Sequence, residues 1–247
     1  LRQLRSILYD KELQHRMEEQ AKVVKDKFAY IHNKPVVVNL KNSHLGLIGE
    51  KSIVQEQIKL LVAQLTFQQS YHDLQIILIH NKKYNEEFKW MRWYPHLRIK
   101  SLNMSGDINS EQMRDQVLGS LFQILKDRAL KVEENSKQSK FMPHFVFVID
   151  EPKLIMDHSI MEYLNKSGKE LGFTVIYTSY LRGNLPDIIG TIVEINDSEE
   201  ATLVLNENQV VNTKMKSMLN AKSLKYNWHE ADVTVLEGVL ARGDRKV

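Results

Sequence analysis

Two short groupings carry the residue types that chemistry needs. Gly49, Glu50, Lys51 and Ser52 join the apolar run LGLI to a long helical pattern, and Asp150 and Glu151 close the apolar run HFVFVI. A Lys-Ser pair at a strand-to-helix turn is how a phosphate-binding loop ends: backbone N–H groups wrap the phosphate oxygens, the Lys reaches the terminal phosphates and the hydroxyl holds Mg²⁺. Two acids at the end of an apolar strand suit the other half of that chemistry, an Asp for Mg²⁺ and a Glu that polarises the attacking water. Gly49, Lys51 and Ser52 are therefore the candidate nucleotide-binding residues, and Asp150 and Glu151 the candidate catalytic ones.

The first grouping is incomplete. A working loop places two glycines, separated by four residues, ahead of the Lys, whereas here only Gly49 remains and Glu50 directly precedes Lys51. A helix N-terminus favours an anion by about 0.3–1 kcal/mol at an exposed site. A carboxylate about 4 Å from a phosphate charge opposes binding by about 4 kcal/mol at an effective dielectric near 20. The missing glycines and Glu50 thus favour a plain strand-to-helix turn over a phosphate cradle.

These residues need strands and helices to position them. After Pro35, short β-rich runs alternate with helical patterns: VVVNL, LGLIG, LQIILIH, LRIKSL, HFVFVID, FTVIYTS and TIVEIN, with helices expected over Ser52 to Gln69, Asn109 to Val132 and His158 to Leu171. Several runs are continuously apolar, the mark of strands covered on both faces. The alternation predicts an α/β fold with a mostly parallel, doubly wound sheet. Asn206, Glu207 and Asn208 read as a turn between two edge strands, and VEENSKQSKFMP as a polar loop.

The first thirty residues lack Gly and Pro and are rich in helix formers. Leu13, Met17, Ala21, Val24 and Phe28 share one helical stripe, which either packs on its own domain or forms an inter-subunit stalk. The expected organisation is a helical stalk or linker over 1–34 and one α/β domain with C-terminal edge strands over 35–247. Because the chain opens on this helix without an initiator Met, it is expected to be a piece of a longer protein.

Composition narrows the functions further. Thirty-four basic and 31 acidic residues give a formal charge of +3 spread along the chain, which makes no electrostatic case for nucleic acid. With no cysteine there is neither a disulfide framework nor a thiolate metal site. The apolar runs fall far short of the roughly 20 residues that cross a bilayer, so this piece is expected to be soluble.

From Pro35 to Leu205 the chain resembles the FtsK/SpoIIIE-like ATPase modules, and most closely the first, degenerate module of the membrane-anchored EssC/EccC ATPases of type VII secretion. The match is carried by PVVVNLKNSHLGLIG, by PHFVFVIDEPKLI and by Trp90, Arg92, Trp93, Pro95 and His96 in a Trp-x-x-Trp-x-Pro-His layout. The resemblance implies a RecA-like fold on the cytoplasmic face of the membrane, preceded by membrane spans and followed by further RecA-like modules. It implies hexamers that use Mg·ATP to export small helical WXG100-type proteins. It also assigns Lys51 and Ser52 to phosphate and magnesium, Asp150 to magnesium and Glu151 to water. In such ATPases the next core strand ends in Thr-Gln-Arg-Pro, but Ser179 and Tyr180 stand here for the Thr and Gln. The expectation is therefore a pseudo-ATPase module without cofactor or nucleic acid of its own, whose partners are the adjacent modules and membrane segment of the same chain, other copies of the parent protein, the secretion-system membrane components and WXG100-type substrates. The alternatives are a weak Mg-ATPase completed by a neighbouring subunit or domain, and an FtsK-like DNA translocase.

Other residue types admit two readings. Trp90, Trp93 and Tyr94, with Lys89 and Arg92 among them, suit base stacking or a secretion substrate, but the favoured reading is that the indoles cover a sheet edge or pack beneath the following loop. His44, His80, His96 and His144 are scattered without ligand spacing, so no metal site is expected. Met104, Met113, Met142, Met156 and Met161 read as packing residues. Arg182 follows the FTVIYTS strand, where it is either solvent-exposed or within reach of a neighbouring subunit.

Overall fold

The computed structural model describes residues 2–28, 38–134, 141–195, 200–205 and 209–214. The chain divides into two compact units, Leu1–Val36 and Val37–Val247. The first is the helix α1, Arg2–Phe28. It has Lys25 and Lys27 in its last turn, where cations favour the C-terminal end of the helix dipole. Its Leu13, Met17, Val23 and Val24 are exposed.

The second unit is built on one mixed sheet. In chain order its elements are β1 (Leu45–Ile48), α2 (Lys51–Gln68), β2 (Leu74–Ile79), α3 (Asn85–Phe88), β3 (Arg98–Ile99), β4 (Met104–Ser105), β5 (Asp107–Ile108), α4 (Glu111–Glu134), β6 (His144–Ile149), α5 (Met161–Leu164), β7 (Phe173–Ser179), β8 (Thr191–Ile195), β9 (Glu200–Leu205) and β10 (Gln209–Lys214). The sheet runs β10-β9-β8-β1-β7-β6-β2-β5. The strands from β8 to β5 pair in parallel, and β9 and β10 are added antiparallel. The short pair β3-β4 stands apart.

The continuous apolar runs have the cause the sequence suggests. Successive side chains leave a strand on opposite faces, and both faces here are covered. On one face Ile77, Ile79, Phe145, Phe147, Ile149, Val175 and Tyr177 meet Val117, Leu118, Leu121 and Leu125 of α4. On the other, Ile76, Leu78, Val146, Val148 and Ile176 meet Val54, Ile58 and Val62 of α2. Both helices bury residues at spacings of three and four, so one stripe of each faces the sheet.

Several expected elements differ. The helix expected from His158 to Leu171 is only Met161–Leu164. Downstream of it, Gly168 lies so close to the Phe173 carbonyl that any Cβ would collide, so the chain turns back toward β7 there. In LRIKSL only Arg98–Ile99 is extended, and it pairs with β4 rather than joining the main sheet. Val38 to Leu40 of VVVNL form no strand, and Val36 and Val37 lie outside the described residues. The helix expected at Asn109 to Val132 runs from Glu111 to Glu134, into the start of VEENSKQSKFMP. Residues 135–140 of that loop, the turn at Asn206 to Asn208 and everything after Lys214 lie outside the described residues.

Candidate functional site

The parallel strands end together, which brings the two groupings into one place. β1 delivers Gly49 to Ser52, β6 delivers Asp150 and Glu151, and β7, lying between them in the sheet, delivers Thr178. Lys51 Nζ donates to Asp150 Oδ1 in a direct ion pair, and the Thr178 hydroxyl donates to the same oxygen at 2.8 Å. The Asp150 side chain is fully buried, whereas that of Lys51 is 36% exposed. Asp150 Oδ2 is buried too and has no partner among the described residues. The Lys51 ammonium also lies 4.6 Å from the centre of the Tyr84 ring, a favourable contact between a cation and a π face.

The turn between β1 and α2 is only Gly49 and Glu50. The Gly49 N–H donates to the Ser179 carbonyl at 3.1 Å, so the first amide of the turn serves the sheet. A Cβ at Gly49 would stand 2.9 Å from the Ile195 carbonyl. The glycine is thus needed for the close approach of β8, a structural reason independent of phosphate. Glu50 is the N-cap residue of α2, and its carboxylate accepts from the Ser52 hydroxyl at 3.2 Å. The helix N-terminus therefore has an acid of its own, and the hydroxyl that would hold Mg²⁺ is bonded to it. These residues do not fit Mg·ATP as they stand: no run of free amides precedes Lys51, and Lys51 and Ser52 are both engaged by carboxylates of this chain.

Glu151 stands beside this cluster, half-buried, where its Oε2 accepts from Asn81 Nδ2 at 3.3 Å. Asn81 immediately follows β2, and its side-chain oxygen accepts from the Lys83 N–H at 3.1 Å, capping the short turn over Lys82–Tyr84. Ser179 ends β7, and Tyr180, 73% exposed, follows it, with Arg182 exposed beyond. Thr178, Asn81 and Tyr84 were not among the candidates read from the sequence. Their signal was position: ligand-facing groups of an open α/β sheet gather at the carboxyl ends of its strands, and Asn81 and Thr178 lie at such ends.

The remaining candidates separate. Trp90 packs against the α2-side core and meets Tyr94 edge-on, with ring centres 5.8 Å apart, while Trp93 is 74% exposed under the Arg92 guanidinium. His96 is buried, and its Nε2–H donates to the Gln69 carbonyl at the end of α2. His80 is also buried and bonds Asp107 through Nε2 at 2.8 Å. Among the described residues no three His, Asp or Glu side chains converge on a possible metal position. Met104, Met113 and Met161 pack against the core as expected, but Met142 and Met156 are 61% and 66% exposed, so those two are not core packing residues. No described helix is long and apolar enough to cross a membrane.

Comparison with known proteins identifies the lineage. No protein-family model matches the chain. It is 33% identical over 187 residues to the ESX secretion system protein EccC of Geobacillus thermodenitrificans, covering 76% of this chain and 12% of that protein. It is 34% identical over 200 residues to YukB, an ESX secretion system protein of Bacillus subtilis, covering 81% and 13%. With the type VII secretion system protein EssC of Staphylococcus aureus it shares 31% over 199 residues, covering 79% and 14%. The chain thus spans about an eighth to a seventh of the length of these relatives. Among solved structures, EssC ATPases 2 and 3 of G. thermodenitrificans superpose with a TM-score of 0.53 over 83% of this chain and 44% of that one, at 14% identity. The cytoplasmic domain of EssC gives 0.51 over 83% and 45%, also at 14%. At that identity the superpositions establish the RecA-like fold, while the sequence matches establish descent. The chain belongs to the EssC/EccC family of FtsK/SpoIIIE-like type VII secretion ATPases, with a RecA-like fold.

Proposed function

We propose that this module does not turn over nucleotide and serves as a structural and regulatory coupling domain. In this reading it links the membrane part of an EssC-like secretion protein, at the cytoplasmic face, to the active ATPase modules that drive export of WXG100-type proteins. The observation that carries the reading is the self-satisfied site: Lys51 is held by the buried Asp150, and Ser52 by Glu50. A nucleotide would have to break both contacts and displace a carboxylate from the α2 N-terminus, with no run of loop amides to compensate. The partners are the neighbouring modules and the membrane segment of the same chain, and other copies of the parent protein.

Calorimetric titration of Mg·ATP into the chain tests this, with Lys51→Ala as control. No heat and no rise in the thermal midpoint up to millimolar nucleotide are expected, because a ligand stabilises a protein only when it binds the folded state. Micromolar binding that Lys51→Ala abolishes would overturn the proposal.

One observation favours a second reading, that of a weak Mg-ATPase completed by a neighbour. Lys51, Ser52, Asp150 and Glu151 have kept their places at one edge of the sheet. In the full-length protein this reading predicts measurable turnover from this module that Glu151→Gln removes.

A further inference from the structure

The opposite, N-terminal edge of the sheet carries two adjoining cavities. The larger, about 390 Å³, is lined by Leu40, Leu65, Leu74 and Val146, with Phe141 and Met142 at one side. Its polar floor is satisfied from within: His144 Nε2–H donates to the Thr174 hydroxyl, which itself donates to the Leu40 carbonyl. A floor whose polar atoms are already paired suits an apolar occupant. The smaller cavity, about 220 Å³, is more polar and is lined by Asn42, Ser43, Ser167 and Gly168 over Phe173. Leu40, Lys41 and Lys169 border both.

The charge at this edge is one-sided. Among the described residues, Lys41 and Lys169 are exposed and form no ion pair, and Asp73 is the one acid that lines either cavity. Nearby, Arg128 is buried to 6% exposure, and its guanidinium donates to the carbonyls of Leu171, Gly172 and Pro143, with no carboxylate partner among the described residues. Carbonyls satisfy its N–H groups but leave its charge uncompensated. Burial, followed by Arg128, Lys41 and His44, lowers the pKa of His144 on the cavity floor to about 4.

We propose that this edge is a docking site for an extended acidic segment of a partner polypeptide. An aliphatic or aromatic side chain of the segment fills the larger cavity, flanking carboxylates meet Lys41 and Lys169, and the chain continues over the smaller polar cavity. Charge complementarity selects this occupant, because a basic segment would be repelled by the same lysines. The site is remote from Lys51 and Asp150 and does not depend on the nucleotide reading.

Fluorescence anisotropy with two labelled peptides, EELFEE and KKLFKK, tests the proposal at low ionic strength. The acidic peptide is expected to bind at least about tenfold more tightly, a preference that weakens as salt screens it. It should shift the amide resonances of Leu74, Val146 and Thr174. Lys41→Glu with Lys169→Glu should reverse the order of the two peptides, and Lys41→Gln with Lys169→Gln should level it, with thermal midpoints unchanged at these exposed positions. Equal affinities, no binding by either peptide, or a preference that survives charge reversal would each overturn it.

Discussion

The two ends of the sheet treat charge in opposite ways. At the carboxyl ends of the strands the candidate side chains are engaged within this chain: Lys51 with Asp150, Ser52 with Glu50, Asn81 with Glu151. At the amino ends Arg128 is buried among carbonyls and aromatic rings, and Lys41 and Lys169 have no acid among the described residues. The family resemblance directs attention to the first end. The second end suits an anion better, because at the first Lys51 is already paired with Asp150 and the carboxylates of Glu50 and Glu151 stand nearby, while uncompensated cations at the second retain their attraction.

Removing Arg128 should have the largest effect on stability. Arg128→Ala loses bonds to three buried carbonyls and the stacking on Phe145, whose ring centre lies 4.6 Å from the guanidinium carbon. A loss of about 3–4 kcal/mol in urea denaturation is expected, since the Leu171 and Pro143 carbonyls lose this donor and a large buried side chain is removed. A loss below about 1 kcal/mol would mean that water replaces the guanidinium freely.

At the other end, Lys51→Ala should cost about 2 kcal/mol, by leaving the buried Asp150 with Thr178 as its one described partner. The figure is set below that for a fully buried pair because Lys51 is partly exposed. Adding Asp150→Asn should recover part of the loss. A double-mutant cycle with no coupling would show that the pair contributes nothing to the fold.

Acid should act mainly through the amino end. The folded-state pKa of His144 lies near 4, below its usual 6.5, chiefly because of burial; His44 and His96 are lowered for the same first reason. A base depressed in the folded state contributes stability that is complete above about 6.5 and lost as pH falls toward 4, because the unfolded chain takes up the proton first. A loss on the order of 2 kcal/mol is expected between pH 7 and 4.5, and His144→Gln should flatten the profile. An unchanged profile would show that other groups dominate the acid response. The smallest effect belongs to Trp93→Ala, which should alter stability by less than about 0.5 kcal/mol because the indole is mostly exposed.

Much of the fold was legible in the chain before any coordinates. The continuously apolar runs at Leu74–Ile79, His144–Ile149 and Phe173–Ser179 are core strands because burial on both faces leaves no place for an alternating pattern. The segment 158–171 misled because its helix-forming residues are local, whereas the constraint at Gly168 is a contact with β7. Trp90 and Trp93 were indistinguishable as letters, and packing separated them.

The sequence by itself determined the alternation of strands and helices, the five candidate positions at Gly49, Lys51, Ser52, Asp150 and Glu151, and the shortness of the loop before Lys51. These are properties of order and spacing along one chain. Only the tertiary structure decided that Lys51 is bound to Asp150 across the sheet, that Asn81 holds Glu151, and that Lys41 and Lys169 border the same two cavities. The physical reason is that charge and hydrogen-bond partnership depend on distance through space, and the parallel sheet brings together strand ends that lie far apart in the chain.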